Sequence, residues 1–179
     1  IEFESGKKLI FEDVRKFGRL YLYEDLDPIN DCHGPEPLDD TFTVQKFQKM
    51  LFSRKRNIKS ILLDQSFLSG LGNIYVDESL WKSKIHPNSI SNSIPKKRIE
   101  MLFHNIRKTL RDAIDNKGTT IIDFSVNGES GKYTNELKVF GRTGQECFHC
   151  SQMIKKSKVA GRGTYTCNKC QKKYYKTKK

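Results

Sequence analysis

Four of the five cysteines fall in two tight pairs, Cys147-x2-Cys150 and Cys167-x2-Cys170, with sixteen residues between them, and this spacing constrains the fold more than any other feature. Each pair can chelate one edge of a tetrahedron, and the chain between the pairs must return as a hairpin to close it. The pattern suits one Zn2+ better than disulfides. Four protein thiolates leave no position for water or substrate, so the zinc is expected to be structural. His149, inside the first pair, could replace one thiolate, but the set of four is complete without it. Cys32 stands apart, and its plain reading is a thiol without a role. Between the pairs runs Lys155-Lys156-Ser157-Lys158-Val159-Ala160-Gly161-Arg162-Gly163-Thr164, basic residues followed by glycines, as at the tip of a β-hairpin. Arg162 would project from that turn. Its guanidinium there suits bidentate phosphate binding, and the plainer reading is a solvated arginine beside glycine.

Charge points the same way. The chain carries a net charge of +12, which favours a polyanionic partner. Residues 136–179 hold twelve Lys or Arg against two Glu, so +10 of that charge sits in the cysteine-bearing quarter. With 36% hydrophobic residues over 179 positions, small modules are expected rather than one large core. No apolar run reaches the length of about eighteen residues that a membrane helix needs, and no charged leader precedes an apolar stretch. A soluble, intracellular protein is therefore expected.

Along the chain, Phe3, Leu9, Phe11, Leu20 and Leu22 alternate with other residues around Ser5-Gly6 and 16–18, which predicts a β-hairpin. A hairpin alone cannot bury its apolar face. Residues 1–26 are accordingly expected to be the end of a larger sheet domain, cut from something longer. Residues 27–40, with Pro28, Gly34, Pro35 and Pro37, have linker composition. Thr43 then caps a helix carrying Val44, Phe47, Met50 and Leu51, and a second helix is predicted over 58–67. After Ser69-Gly70-Leu71-Gly72, Asn73 is expected to cap a third helix, and Pro95 opens a fourth with Ile99, Leu102, Phe103, Ile106, Leu110 and Ile114 on one stripe. A helical domain over 41–135 ends in a Gly-, Ser- and Asn-rich mobile loop from Thr119 onward, and 136–179 form the cysteine module.

The segment Gly70-Leu71-Gly72-Asn73-Ile74-Tyr75-Val76-Asp77-Glu78 places glycines before a helix N-terminus, where free N–H groups suit an anion. Asp77 and Glu78 read as ordinary solvated acids.

These segments together resemble a known family. Lys59-Ser60-Ile61-Leu62-Leu63-Asp64-Gln65, the Gly70 to Glu78 run and Ile85-His86-Pro87 look like the helix-two-turn-helix of the formamidopyrimidine-DNA glycosylase and endonuclease VIII family. Gly141-Arg142-x2-Gly144, the four cysteines and the Lys158 to Thr164 run look like its zinc finger, and Arg15-Lys16-Phe17-Gly18 resembles its DNA-wedging loop. The resemblance implies an α+β multidomain fold: the remnant of an N-terminal β-sandwich, a helix-two-turn-helix domain and a C-terminal β-hairpin zinc finger.

It further implies that Lys59, Asn73 and Arg162 clamp phosphates around a lesion, that Arg15 faces the orphaned base, and that Phe17 fills the stack left when the damaged base is flipped out. Val126, Asn127, Gly128 and Tyr133 lie in a segment resembling the lid over a flipped oxidised purine, favouring the formamidopyrimidine branch over the endonuclease VIII branch. The implied partner is double-stranded DNA with an oxidised base or abasic site, bound by a monomer. The implied chemistry is base release followed by Schiff-base elimination at the abasic site. The family's N-terminal proline, adjoining glutamate and catalytic lysine have no match here, so no catalytic residue is assigned, and Glu2 reads as a strand residue. Two other classes stay open: a stand-alone module for abasic or distorted DNA, and a zinc-ribbon RNA-binding protein.

Overall fold

The computed structural model describes residues 1–13, 16–120, 125–126 and 129–175. Its centre is helical. Thr43 accepts the Lys46 amide at 3.3 Å and starts α2, Val44–Phe52, which turns Phe47 and Leu51 inward. Helix α3, Ile58–Leu62, stops well short of position 67. The Asp64 carboxylate accepts both the amide and the hydroxyl of Ser66, and this local turn outcompetes further helical hydrogen bonding. Helix α4 spans Asn73–Lys82 and α5 spans Lys96–Asp115. A four-residue α1, Asp27–Asn30, precedes them.

The predicted stripe on α5 is buried from Ile99 to Leu110, but Ile114 is 64% exposed. Phe42, Phe47 and Phe103 meet pairwise with ring centroids 5.8–6.0 Å apart at the heart of this core. The expected linker is partly fastened to it. The Gly34 amide donates to Gln65, Ser69 donates to the Pro35 carbonyl, and the Arg107 guanidinium donates to the carbonyls of Pro37 and Asp39. Gly34 also lies so close to the Phe67 backbone that a Cβ would overlap it.

The cysteine module contains the predicted hairpin, β3 (Lys155–Val159) paired antiparallel with β4 (Arg162–Thr166) in the register Val159↔Arg162. Ala160 and Gly161 take φ of 50° and 74°, the two left-handed residues that a tight hairpin turn requires. The module is joined to the helical part along 171–175. Lys172 exchanges backbone bonds with Lys84 and His86, and Gln171 links the Cys167 amide to the Ile85 carbonyl. A two-residue pair, β1 (Ser125–Val126) with β2 (Glu129–Ser130), lies in the excursion after α5.

The N-terminal expectation is met only locally. Residues 1–9 make a small turn bridged at Glu2↔Lys8, and no pairing of 9–11 with 20–23 occurs among the described residues. Ile10, Phe17 and Leu22 are 82%, 82% and 100% exposed. A sandwich is not seen here because these apolar side chains have no second layer against them. Among the described residues no helix is long and apolar enough to cross a membrane.

Candidate metal centre and nucleic-acid interface

The Sγ atoms of Cys147, Cys150, Cys167 and Cys170 all lie within 4.8 Å of one another, with Cys147–Cys170 at 3.8 Å and Cys150–Cys167 at 3.4 Å. A Zn–S bond of about 2.3 Å in a tetrahedron implies sulfur separations of about 3.8 Å, so the donor set fits one zinc. His149 is not among these donors. Its ring stacks on Trp81 at 4.4 Å and 11°, which leaves the four thiolates as the ligand set. Trp81 belongs to α4, so the metal module rests directly on the helical domain.

Arg162 is exposed at the hairpin tip and borders a cavity of about 760 Å³ also lined by Arg56, Ser60, Gly72 and Asn73. Two predicted site residues, Asn73 and Arg162, are thus brought together although 89 positions apart. Arg56 was missed, although the run Arg54-Lys55-Arg56, exposed just before α3, was a signal for it.

Asn73 is the first residue of α4 rather than its cap. Gly72 holds the cap position without a side-chain bond, and the Asn73 side chain donates through Nδ2 to the Gly163 carbonyl at 3.1 Å. Lys59 is not at the surface. It is fully buried, its ammonium 2.6 Å from Asp77 Oδ1 and 3.2 Å from the same Gly163 carbonyl. Burial pulls the Lys59 ammonium below the ordinary lysine range, against the attraction of Asp77. The second Asp77 oxygen accepts the Tyr165 amide at 3.0 Å. Burial pushes the Asp77 carboxyl up to about 6, opposed by Lys59 and the Tyr165 amide.

Asp77 and Glu78, expected in solvent, are both completely buried. Glu78 accepts the backbone amides of Lys138, Val139 and Phe140 at 2.9–3.0 Å, fastening the start of the cysteine module to α4. Hydrophobic periodicity could not reveal this, because the partners lie 60 or more residues downstream.

The segment expected as a lid divides. Val126 lies in β1, and Asn127 and Gly128 lie outside the described residues, as does Arg15. Tyr133 departs from the expected lid position. It is 1% exposed, packed edge-on against Tyr75 at 5.9 Å with Ala113 and Leu137, and its hydroxyl accepts from Lys82. It anchors the end of the excursion. The base is closed by the Tyr133 amide on the Gly118 carbonyl and the Lys132 amide on the Asn116 carbonyl. The Tyr75 and Thr119 hydroxyls meet at 3.2 Å beside it. Gly131 presses on the Gly118 backbone so closely that a Cβ there would overlap it.

Known proteins share these features. A family model described as the formamidopyrimidine-DNA glycosylase H2TH domain matches residues 33–125. The chain belongs to this family. A second model, the zinc finger found in FPG and IleRS, matches residues 144–173 and so spans all four cysteines. Formamidopyrimidine-DNA glycosylases of Protochlamydia amoebophila and Lactobacillus johnsonii are 45% and 46% identical over 176 and 177 residues. Each alignment covers 96% of this chain and 64% of the relative. The chain therefore spans less than two thirds of the length of these family members. Among solved structures, Lactococcus lactis Fpg bound to abasic-site DNA aligns with a TM-score of 0.75 at 42% identity, over 81% of this chain and 54% of that one. The same enzyme bound to Fapy-dG DNA gives 0.74 at 42% identity, over 81% and 53%.

Proposed function

We propose that this chain supplies the damaged-DNA grip of a base-excision glycosylase for oxidised purines. The observation that carries the reading is the convergence of Arg162 and Asn73, with Arg56 and Ser60, on one cavity between the zinc-held hairpin and the start of α4. A guanidinium on a rigid turn beside a helix N-terminus fits a phosphodiester. Zinc, when bound, supplies no chemistry of its own and fixes the hairpin that presents Arg162. The domain organisation proposed is 1–26 as the end of a β-sandwich, 27–40 as a connection, 41–135 as the helix-two-turn-helix domain and 136–179 as the zinc finger and basic tail.

In the whole protein, the flipped 8-oxoguanine or formamidopyrimidine would be released and the abasic site nicked by Schiff-base β,δ-elimination. Arg15 would face the orphaned base and Phe17 would fill the vacated stack; the exposure of Phe17 supports that role. The Gly118–Gly131 neck supports reading the excursion with Val126, Asn127 and Gly128 as a lid held at its base by Tyr133, as in the formamidopyrimidine branch. A lone abasic-DNA module and an RNA-binding zinc ribbon have less support than this family reading.

For these 179 residues alone, binding without cleavage is expected. The test is fluorescence anisotropy on an abasic-analogue duplex, an intact duplex and an RNA of equal length, together with borohydride trapping on an 8-oxoguanine duplex. Preference for the abasic duplex without a covalent adduct is the expected result. Equal affinity for RNA would sink the grip reading, and an adduct would show that a nucleophile lies within the chain.

A further inference from the structure

We propose that Lys59 and Asp77 form a buried positioning pair that aims the Arg162 hairpin at the phosphate cavity, and that Lys59 is not itself a phosphate ligand. This deepens the DNA-gripping function above and rests on it.

The pairing register of β3 with β4 joins Val159 to Arg162 and Ser157 to Thr164. In a hairpin closed by a two-residue turn, the intervening residues Gly163 and Tyr165 direct their backbone groups away from the partner strand. Such an edge needs partners if it is buried. The helical domain provides them. The Gly163 carbonyl accepts from Lys59 on α3 and from Asn73 on α4, and the Tyr165 amide donates to Asp77 on α4. The strand that begins with Arg162 is thereby fixed at two alternate residues by side chains 88 to 104 positions away.

Lys59 cannot do this and also serve as an exposed phosphate contact. It is completely enclosed, and the cavity between Arg162 and Asn73 is lined by its neighbour Ser60 and by Arg56 but not by Lys59. A phosphate ligand needs a cation facing the solvent, whereas a buried cation whose donors are already taken contributes geometry. A buried ion pair costs desolvation that an apolar pair would not, so its presence at this contact fits a role in fixing one arrangement of the hairpin. Glu78, the other charge adjacent to Asp77, is turned to the amides of 138–140 and does not compete for the ammonium.

The experiment uses the zinc-loaded 179-residue chain and measures affinity for an abasic-analogue duplex by anisotropy across a salt series. Arg162→Ala provides the signature of a direct ligand: weaker binding and a slope of log K against log salt shallower by about 0.9. Lys59→Met is expected to weaken binding by about 30-fold with no change of slope, because the paired Asp77 is left buried and uncompensated. Asp77→Leu should weaken it comparably although the Lys59 charge remains, and the double variant should be no weaker than either single one. Zinc stoichiometry and protection of the α5 amides check that each variant folds.

Asp77→Asn, which keeps the shape and removes the charge, covers the case in which the leucine variant does not fold. Weaker binding at unchanged slope supports the pair, and undiminished binding overturns it. A shallower slope in Lys59→Met with full affinity in the Asp77 variants overturns the pair and makes Lys59 a ligand. If Arg162→Ala has no effect, the grip itself is refuted and the pair falls with it. Loss in Arg162→Ala alone refutes only the pair.

Discussion

The first 26 residues and the body over 33–175 carry the same kinds of apolar side chain and dispose of them in opposite ways. In the body, Phe47, Leu51, Ile58 and Leu80 are completely buried, whereas Phe3, Ile10, Phe11 and Leu22 are at least half exposed. Both segments have regular hydrophobic patterning. The helices of the body bury their apolar faces against one another, while the apolar side chains of the alternating segment stay largely exposed among the described residues. Patterning therefore specifies which face of an element seeks burial, and only the rest of the polypeptide decides whether burial is reached.

The contrast can be broken most severely at the metal. Removing zinc, or Cys167→Ser, should unfold the hairpin and lower affinity for abasic DNA by on the order of 100-fold or more, while 1–26 are unaffected. Retained tight binding by metal-free protein, measured by anisotropy with metal analysis, would contradict a structural role for zinc. Next in size, Phe47→Ala should cost about 3–5 kcal/mol in denaturant unfolding. Phe11→Ala should stay within about 0.5 kcal/mol; a large effect at Phe11 would mean that the N-terminal segment is packed in solution.

Glu78→Gln is expected to cost about 2 kcal/mol, since a buried carboxylate accepting four bonds becomes an amide with a single acceptor oxygen. The amides of 138–140 should then exchange faster with solvent. An effect of similar size concerns pH, and among the described residues the buried acids that could produce it lie in the body. Asp77 titrates near 6 in the folded chain against about 3.8 ordinarily. Its proton-linked contribution is therefore fully present below about 3.8 and is lost as pH rises through 6. Relative to Asp77→Asn, the parent chain should lose stability on going from pH 4 to pH 7, by about 2 kcal/mol. The opposite slope would mean that Lys59 outweighs burial at this carboxyl.

Much of the architecture was legible in the chain. The cysteine spacing specified the metal module and its hairpin, Thr43 marked the start of α2, and the stripe from Ile99 to Leu110 marked the buried face of α5. What escaped were the polar residues whose burial depends on distant segments. Lys59, Asp77 and Glu78 look like surface charges because their partners at Gly163, Tyr165 and 138–140 are remote in sequence. Tyr133 reads as part of a loop, since nothing local shows that Tyr75 and Lys82 receive it. Asn73 has the chemistry of a cap, yet its side-chain Nδ2 is drawn to the Gly163 carbonyl. Local rules assign such residues to the nearest backbone group or to water, and tertiary partners override both. The site is legible only in its exposed members, Arg162 above all.

The contact of Gly131 on Gly118 separates what can vary from what cannot. The base of the excursion is fastened largely by main-chain groups, whose bonds do not depend on which side chains lie there, and closing a loop costs only slowly more as residues are added. A side chain at Gly131, by contrast, would pry the base apart.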